Sequence, residues 1–475
     1  MDQNLPIDVL DYILSSILDL RTLCSTVQVS KRLNTVYKAR QRSLRAAVAR
    51  NEVGPALPAA LRLARYDTDA QMVWQDFNWQ GFTEDSDYEI DWALAQELSA
   101  NAEAMCEFES LYSQMFKDCR NKTSQLTVSE SRKFARALYR LGLYFKRWSN
   151  DWESHLDERV WDEDDDPEDE DDDGEKREWE ETAKSMREDQ LIFLKSTAST
   201  DEERRELCAA FVFLRDHAFP WAYTTFGTTY ATNYIPDSIQ FNDMRALARV
   251  LSRREHHSYP GSQLPFENSD VTAELVPPIV NRLGIDVTTI EPTLLLDGPT
   301  RNDPCDHCGE LSGQKLFTES NWYLLYGYIS LREICSTGFK GNLMRNLAEA
   351  SRINIYFNAQ AFSLPAFLRE IFDGAAARGV AGADKNLLLC LKCVQGVVEA
   401  QAMNWWLDRK RAEGQTIGDD CWYGYECRTQ THKAGHAGRL NHFCLNKGKP
   451  GPPAPTVLLP SSHVPHPPAN QPPLP

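Results

Sequence analysis

Between Cys421 and His442 the chain places two cysteines and two histidines, Cys421, Cys427, His436 and His442, in a span too short to enclose a hydrophobic core of its own. Two thiolates neutralise a zinc ion and two imidazoles complete its tetrahedron, so coordination can fix a fold there where apolar burial cannot. The five residues between the cysteines exceed the usual gap of a zinc knuckle, and spacing alone leaves the assignment open.

The residues in the gaps are more specific. Cys421-Trp422-Tyr423-Gly424-Tyr425-Glu426-Cys427-Arg428-Thr429-Gln430, followed by His436-Ala437, Asn441-His442 and Cys444, resembles the PBZ finger, the poly(ADP-ribose)-binding zinc finger, in the version carried by a checkpoint ubiquitin ligase with forkhead-associated and RING domains. The resemblance implies that Cys421, Cys427, His436 and His442 hold zinc. It departs from the family in one gap: eight residues separate Cys427 from His436, which leaves His432 and Cys444 open as substitute ligands. The implied ligand is a polymer of adenine rings and pyrophosphates. Aromatic faces stack on bases and a guanidinium forks onto phosphate, so Trp422, Tyr423, Arg428 and Gln430 are the expected contacts, with at least one aromatic packing the finger instead.

At the other end, Leu10, Ile13, Leu14, Ile17 and Leu18 follow Leu5-Pro6 at helical spacing, and Leu20, Leu23, Val27, Val29 and Leu33 form a second period. Short helices of this kind bury little area alone and need a partner. The Leu5-Pro6 opening, Ile13-Leu14-Ser15 and Val29-Ser30-Lys31-Arg32-Leu33 resemble an F-box, which implies docking on a Skp-type adaptor of a cullin-based ubiquitin ligase through Leu5, Pro6, Leu10, Ile13 and Leu14. A helical hairpin that merely caps the next domain is the alternative.

Amphipathic stripes predict helices over 97–117 and 129–152, the second starting at Ser129, and Ser199-Thr200-Asp201-Glu202-Glu203 predicts another start. Between them, eleven carboxylates from Asp162 to Asp173 describe a solvated linker; without them the net charge of −18 becomes −7, and no basic stripe suggests duplex DNA. Pro277-Pro278, Pro292 and Pro299 mark a change of architecture. Beyond it, Cys305-x2-Cys308 and Cys390-x2-Cys393 frame a second tetrahedral zinc that would staple the intervening chain; two unrelated pairs with Cys390 simply buried is the alternative.

Twelve unevenly spaced cysteines do not describe a secreted disulfide scaffold, and the opening Met1-Asp2-Gln3-Asn4 is not a signal peptide, so a nuclear or cytoplasmic protein is expected. The apolar stretch from Leu387 to Leu407 contains Lys392 and Glu399 and reads as a buried helix, not a membrane span.

The expected fold is mainly α. It comprises an F-box at 1–45, helical regions at 46–160 and 182–300 around an acidic linker at 161–181, a zinc-stapled α-rich domain at 301–415, a PBZ-like finger at 416–447 and a disordered Pro-rich tail at 448–475. No activated nucleophile, carboxylate pair or phosphate loop stands out, and no enzyme is expected. The implied function is that of an F-box substrate receptor that brings poly(ADP-ribosyl)ated proteins to a ubiquitin ligase. A poly(ADP-ribose)-binding scaffold without ligase attachment is the alternative.

Overall fold

The computed structural model describes residues 5–69, 89–156, 191–218, 289–298, 302–313, 315–329, 337–357 and 362–448, with isolated positions elsewhere. The acidic linker, Pro277-Pro278, Pro299 and the Pro-rich tail beyond residue 448 lie outside them. The fold is mainly helical, and among the described residues no helix is long and apolar enough to cross a membrane. Two compact units are present: residues 1–339 with 353–405, and residues 340–352 with 406–475.

In the first unit, α1 (Ile7–Ser15) and α2 (Leu20–Val29) pack on α3 (Lys31–Val53). Each start follows from local chemistry. Pro6 precedes α1, where a missing N–H costs nothing, and the Asp19 carboxylate accepts from Thr22 N at 2.7 Å to cap α2. A non-helical Arg40 kinks α3, which ends at Gly54 with φ of 69°. The core of this bundle is Leu10, Leu14, Leu20, Leu23, Val27, Val36, Leu44 and Val48. Leu10 and Leu14, expected to face a partner, are instead 1% and 0% exposed, because the same helical stripe that reads as a docking face closes α1 onto α3. The large apolar residues α1 presents to solvent are Ile7, Val9, Tyr12 and Ile13, with Asp8 exposed among them, and Pro6 is exposed and Leu5 half-buried beside them.

The helices α4 (Leu57–Asp69), α5 (Trp92–Phe116), α6 (Val128–Leu156) and α7 (Asp201–Phe213) continue the unit. The expected stripe of α5 is buried at Leu98, Ala102, Met105, Phe108, Leu111 and Met115, while Cys106 is exposed. The start of α6 is set by Thr127 and not Ser129: Thr127 Oγ1 accepts from Glu130 N, and the Glu130 carboxylate accepts from Thr127 N at 2.7 Å. At α7, Thr200 accepts from Glu203 N at 3.1 Å. Arg136 and Arg140 on α6 pair with Glu203 and Glu206 on α7, joining two helices that also pack through their apolar faces.

Past residue 300 the chain forms a two-stranded antiparallel ribbon, β1 (Leu316–Phe317) with β2 (Leu389–Cys390), in the register Leu316↔Cys390 and Phe317↔Leu389. Between the strands lie α8 (Ala350–Phe357) and α9 (Leu364–Ala377), and β2 runs directly into α10 (Leu391–Ala412). In the first unit α9 packs on the tight turns of Glu319–Gly327, Trp322 lies 4.9 Å from Phe372, and Phe357, Phe367 and Trp405 form an aromatic cluster.

The second unit takes in Lys340–Arg352, a stretch the sequence reading assigned to the stapled domain. This strap bonds along the finger: Asn342 N donates to Tyr425 O at 2.8 Å, Asn342 Nδ2 to Glu426 O at 3.1 Å and Leu347 N to Gln430 O at 3.2 Å. Gly341, at φ of 62°, lets the strap approach; a Cβ there would lie 2.7 Å from Tyr425 O. Farther along, the Glu349 carboxylate accepts from Trp406 Nε1 at 3.1 Å and pairs with Lys410.

Candidate metal centres

In the first unit the four cysteines of the two Cys-x2-Cys pairs meet. Cys305 and Cys308 sit on a tight knuckle in which Cys305 N donates to Glu310 O and Gly309 N to Cys305 O, both at 2.9 Å, with Gly309 at φ of 72°. Cys390 ends β2 and Cys393 lies in the first turn of α10. The knuckles are stitched by Asp306 N donating to Leu388 O at 2.9 Å and Leu388 N donating to the Asp306 carboxylate at 2.7 Å.

The sulfur spacing separates a disulfide from a metal site. Cys305 Sγ lies 3.7 Å from Cys393 Sγ and Cys308 Sγ 3.8 Å from Cys390 Sγ, and all four thiols are free. A disulfide needs sulfurs about 2.05 Å apart. A tetrahedron with metal–sulfur bonds of about 2.3 Å has edges of about 3.8 Å. Burial pushes the Cys305 thiol up, but N–H groups of Cys308, Cys390 and His307 outweigh it and bring it down to about 6. Burial holds Cys390 and Cys393 above the ordinary thiol range. One thiolate is thus formed readily, and a cation would stabilise the others.

The second unit gathers the other set. Cys421 N donates to Asn441 O at 2.8 Å, Gly424 turns the chain at φ of 49°, and Tyr425 N donates to Cys444 O at 3.1 Å. His436 lies on the short helix α11 (Ala434–Arg439), and His442 follows it. His436 Nε2 is 3.7 Å from Cys421 Sγ and 3.4 Å from Cys427 Sγ, against roughly 3.6 Å for the mixed edge of a tetrahedral sulfur–nitrogen site. His442 Nε2 is buried with no hydrogen-bond partner, and burial together with His436 holds that imidazole down to about 4. An orphaned, neutral imidazole nitrogen beside two thiols is what a metal ligand requires.

Each set therefore brings four donors within 4.8 Å of one another and could hold a metal ion. His432 and Cys444, the open substitutes, are not in the second set: His432 is exposed, with Nδ1 3.5 Å from Thr431 Oγ1, and the Cys444 thiol faces Cys421 O and Asn441 O at 3.5 Å.

The expected contact residues divide. Trp422 is 49% and Tyr423 47% exposed, and Arg428 is exposed. Gln430 is 0% exposed and cannot touch a ligand from solvent. Its Nε2 donates to Tyr425 O at 3.1 Å and its Oε1 accepts from Asn346 Nδ2 at 2.8 Å, so the amide joins finger to strap. Asn346 is itself fixed by Oδ1, which accepts from Ala348 N at 2.8 Å and Glu349 N at 3.1 Å. Sequence reasoning missed the strap, since Lys340–Arg352 has neither a cysteine nor a histidine to mark it.

No family model matches the chain, and no curated protein and no solved structure matches it either.

Proposed function

We propose that the chain is an F-box substrate receptor that recognises poly(ADP-ribosyl)ated proteins through its Cys2His2 unit, with zinc held structurally at both centres. One observation carries the reading: Trp422 and Tyr423 stand in solvent although they follow directly on a buried ligand, Cys421, in a unit with almost no apolar core to bury them. Two adjacent solvent-facing aromatics, with the exposed Arg428 in the same unit, suit an adenine–pyrophosphate polymer. Zinc fits donor sets of four thiols and of two thiols with two imidazoles; with all four positions taken by protein, no open position remains for catalysis. The exposed Ile7, Val9, Tyr12 and Ile13 on α1 supply the apolar surface an adaptor would cover, with Pro6 in line before them. In this reading the adaptor and cullin supply ubiquitin transfer, and the chain performs none.

The test is a pulldown of the full chain with poly(ADP-ribose), run with Trp422→Ala and Tyr423→Ala variants whose zinc content is measured, together with co-purification of a Skp-type adaptor. Undiminished polymer binding by zinc-loaded variants refutes the recognition site. Polymer binding without an adaptor reduces the chain to a scaffold.

A further inference from the structure

The chain as a whole carries a net charge of −18, yet the described residues of the second unit hold ten basic and six acidic side chains. Several of the cations are neutralised inside the unit. Arg409 pairs with Glu413, Lys410 with Glu349, Arg411 with Asp408 and Lys447 with Asp420; Arg352 keeps its charge but is engaged, donating to Gln415. Of the rest, Lys340 has an interaction of its own, while Arg345, Arg428, Lys433 and Arg439 are exposed and no acceptor among the described residues takes their side chains.

These four are gathered by the fold. Arg428 immediately precedes the turn Thr429–Thr431; Lys433 caps α11 and Arg439 ends it, and α11 packs on that turn. The strap's own turn, Leu343–Arg345, packs on it from another direction, held by the bonds from Leu347 N and Asn346 Nδ2 to Gln430. A nearby carboxylate, Glu426, is engaged by Asn446 Nδ2 at 2.6 Å. Three segments thus bring four unneutralised cations around the turn that carries buried Gln430, and one of them, Arg345, comes from outside the finger.

We infer that Arg345 joins Arg428, Lys433 and Arg439 in a composite phosphate-binding face, so that the second unit engages several consecutive phosphates of a polymer and not one pyrophosphate. The inference rests on the proposed polymer-binding role. Its physical basis is that each phosphate neutralised releases counterions, which makes affinity fall with salt in proportion to the number of contacts. A guanidinium held by the strap adds one contact without touching the metal ligands.

The experiment titrates the full chain with poly(ADP-ribose) of defined length and with single ADP-ribose at several salt concentrations, zinc being measured in each sample. Arg345→Gln is compared with Arg428→Gln and with Arg352→Gln, which removes the same charge away from this turn. The expected result for Arg345→Gln is polymer binding several-fold weaker, a salt slope shallower by roughly 0.7, unchanged affinity for single ADP-ribose and full zinc content. Polymer affinity and slope unchanged in Arg345→Gln but reduced in Arg428→Gln overturn the composite face and leave the finger's role standing. Equal losses in Arg345→Gln and Arg352→Gln overturn it as well, since only net charge would then matter. No polymer binding by the unmutated chain overturns both.

Discussion

Replacing Cys305 and Cys308 with serine removes half the donors of the all-cysteine centre and with them a link between Cys308 and Cys390, 82 residues apart in sequence. A cross-link closing a loop of that size restricts the unfolded chain by about 4–5 kcal/mol. Folded units of this kind are stable by about 5–15 kcal/mol, so a metal held by the four cysteines would supply a large part of what keeps its surroundings folded. The ribbon spans only Leu316–Phe317 with Leu389–Cys390 and has little to hold it once the knuckles separate. Because two units make a single unfolding midpoint ill-defined, the assay is amide hydrogen exchange of the full-length double variant, read over 316–329 and 389–402. Protection there should fall by about three orders of magnitude, the equivalent of about 4 kcal/mol. Metal content should fall from two ions per chain to one. Unchanged protection in a variant that has lost one ion would refute the stapling argument.

The remaining predictions concern the finger, the docking face and one buried lysine. Gln430→Ala leaves Asn346 Nδ2 without its 2.8 Å acceptor, while Tyr425 O keeps Asn342 N, so the cost is about 1–3 kcal/mol and should appear as weaker zinc retention against a chelator. Tyr12→Ala with Ile13→Ala should abolish adaptor co-purification while amide hydrogen-exchange protection over 7–53 is unchanged, whereas Leu14→Ala, at a position 0% exposed, should cost about 2–5 kcal/mol and lower that protection. Lys146 is held down to about 7 by burial and by Arg245, and the nearby Glu97 at 4.0 Å is shared with that arginine. A lysine depressed in the fold binds its proton more tightly when unfolded, so stability should rise as pH increases from 7 toward the ordinary lysine range, by at most about 1.4 kcal/mol per pH unit, and Lys146→Met should flatten that rise in urea titrations at pH 7 and 9.

What could be read in advance was whatever depended on residue type at fixed spacing. Both donor sets were legible, because thiols and imidazoles are scarce and their placement is chemically distinctive: Cys305 with Cys308 and Cys390 with Cys393 repeat one short frame, and Cys421 to His442 lie in one stretch. The stripe of α5 was legible from helical spacing, and Leu98, Ala102, Met105, Phe108, Leu111 and Met115 are buried along it. Orientation was not legible. The Leu10–Leu14 spacing fits a helix that docks on a partner and equally one that docks on its own neighbour, and only the presence of α3 decides. Gln430 reads as a polar surface residue until Asn346 is placed opposite it, and a strap defined by backbone N–H groups and a pair of amides leaves no pattern in side-chain chemistry.

The discontinuity of the second unit sets an order of events during synthesis. Asn346 leaves the ribosome 84 residues before Gln430, its partner, which at about 5–20 residues per second is a wait of about 4–17 s. Until then Asn342 N, Leu347 N and Asn346 Nδ2, which bond to the finger in the finished fold, have only water to bond, and the thiols Cys421 and Cys427 have not yet been made. Strap docking therefore waits until Gln430 has been made, after Cys421 and Cys427. A chain that stalls before Cys421 would be left with an unpaired strap, a local feature that a quality-control protease could distinguish from the finished protein.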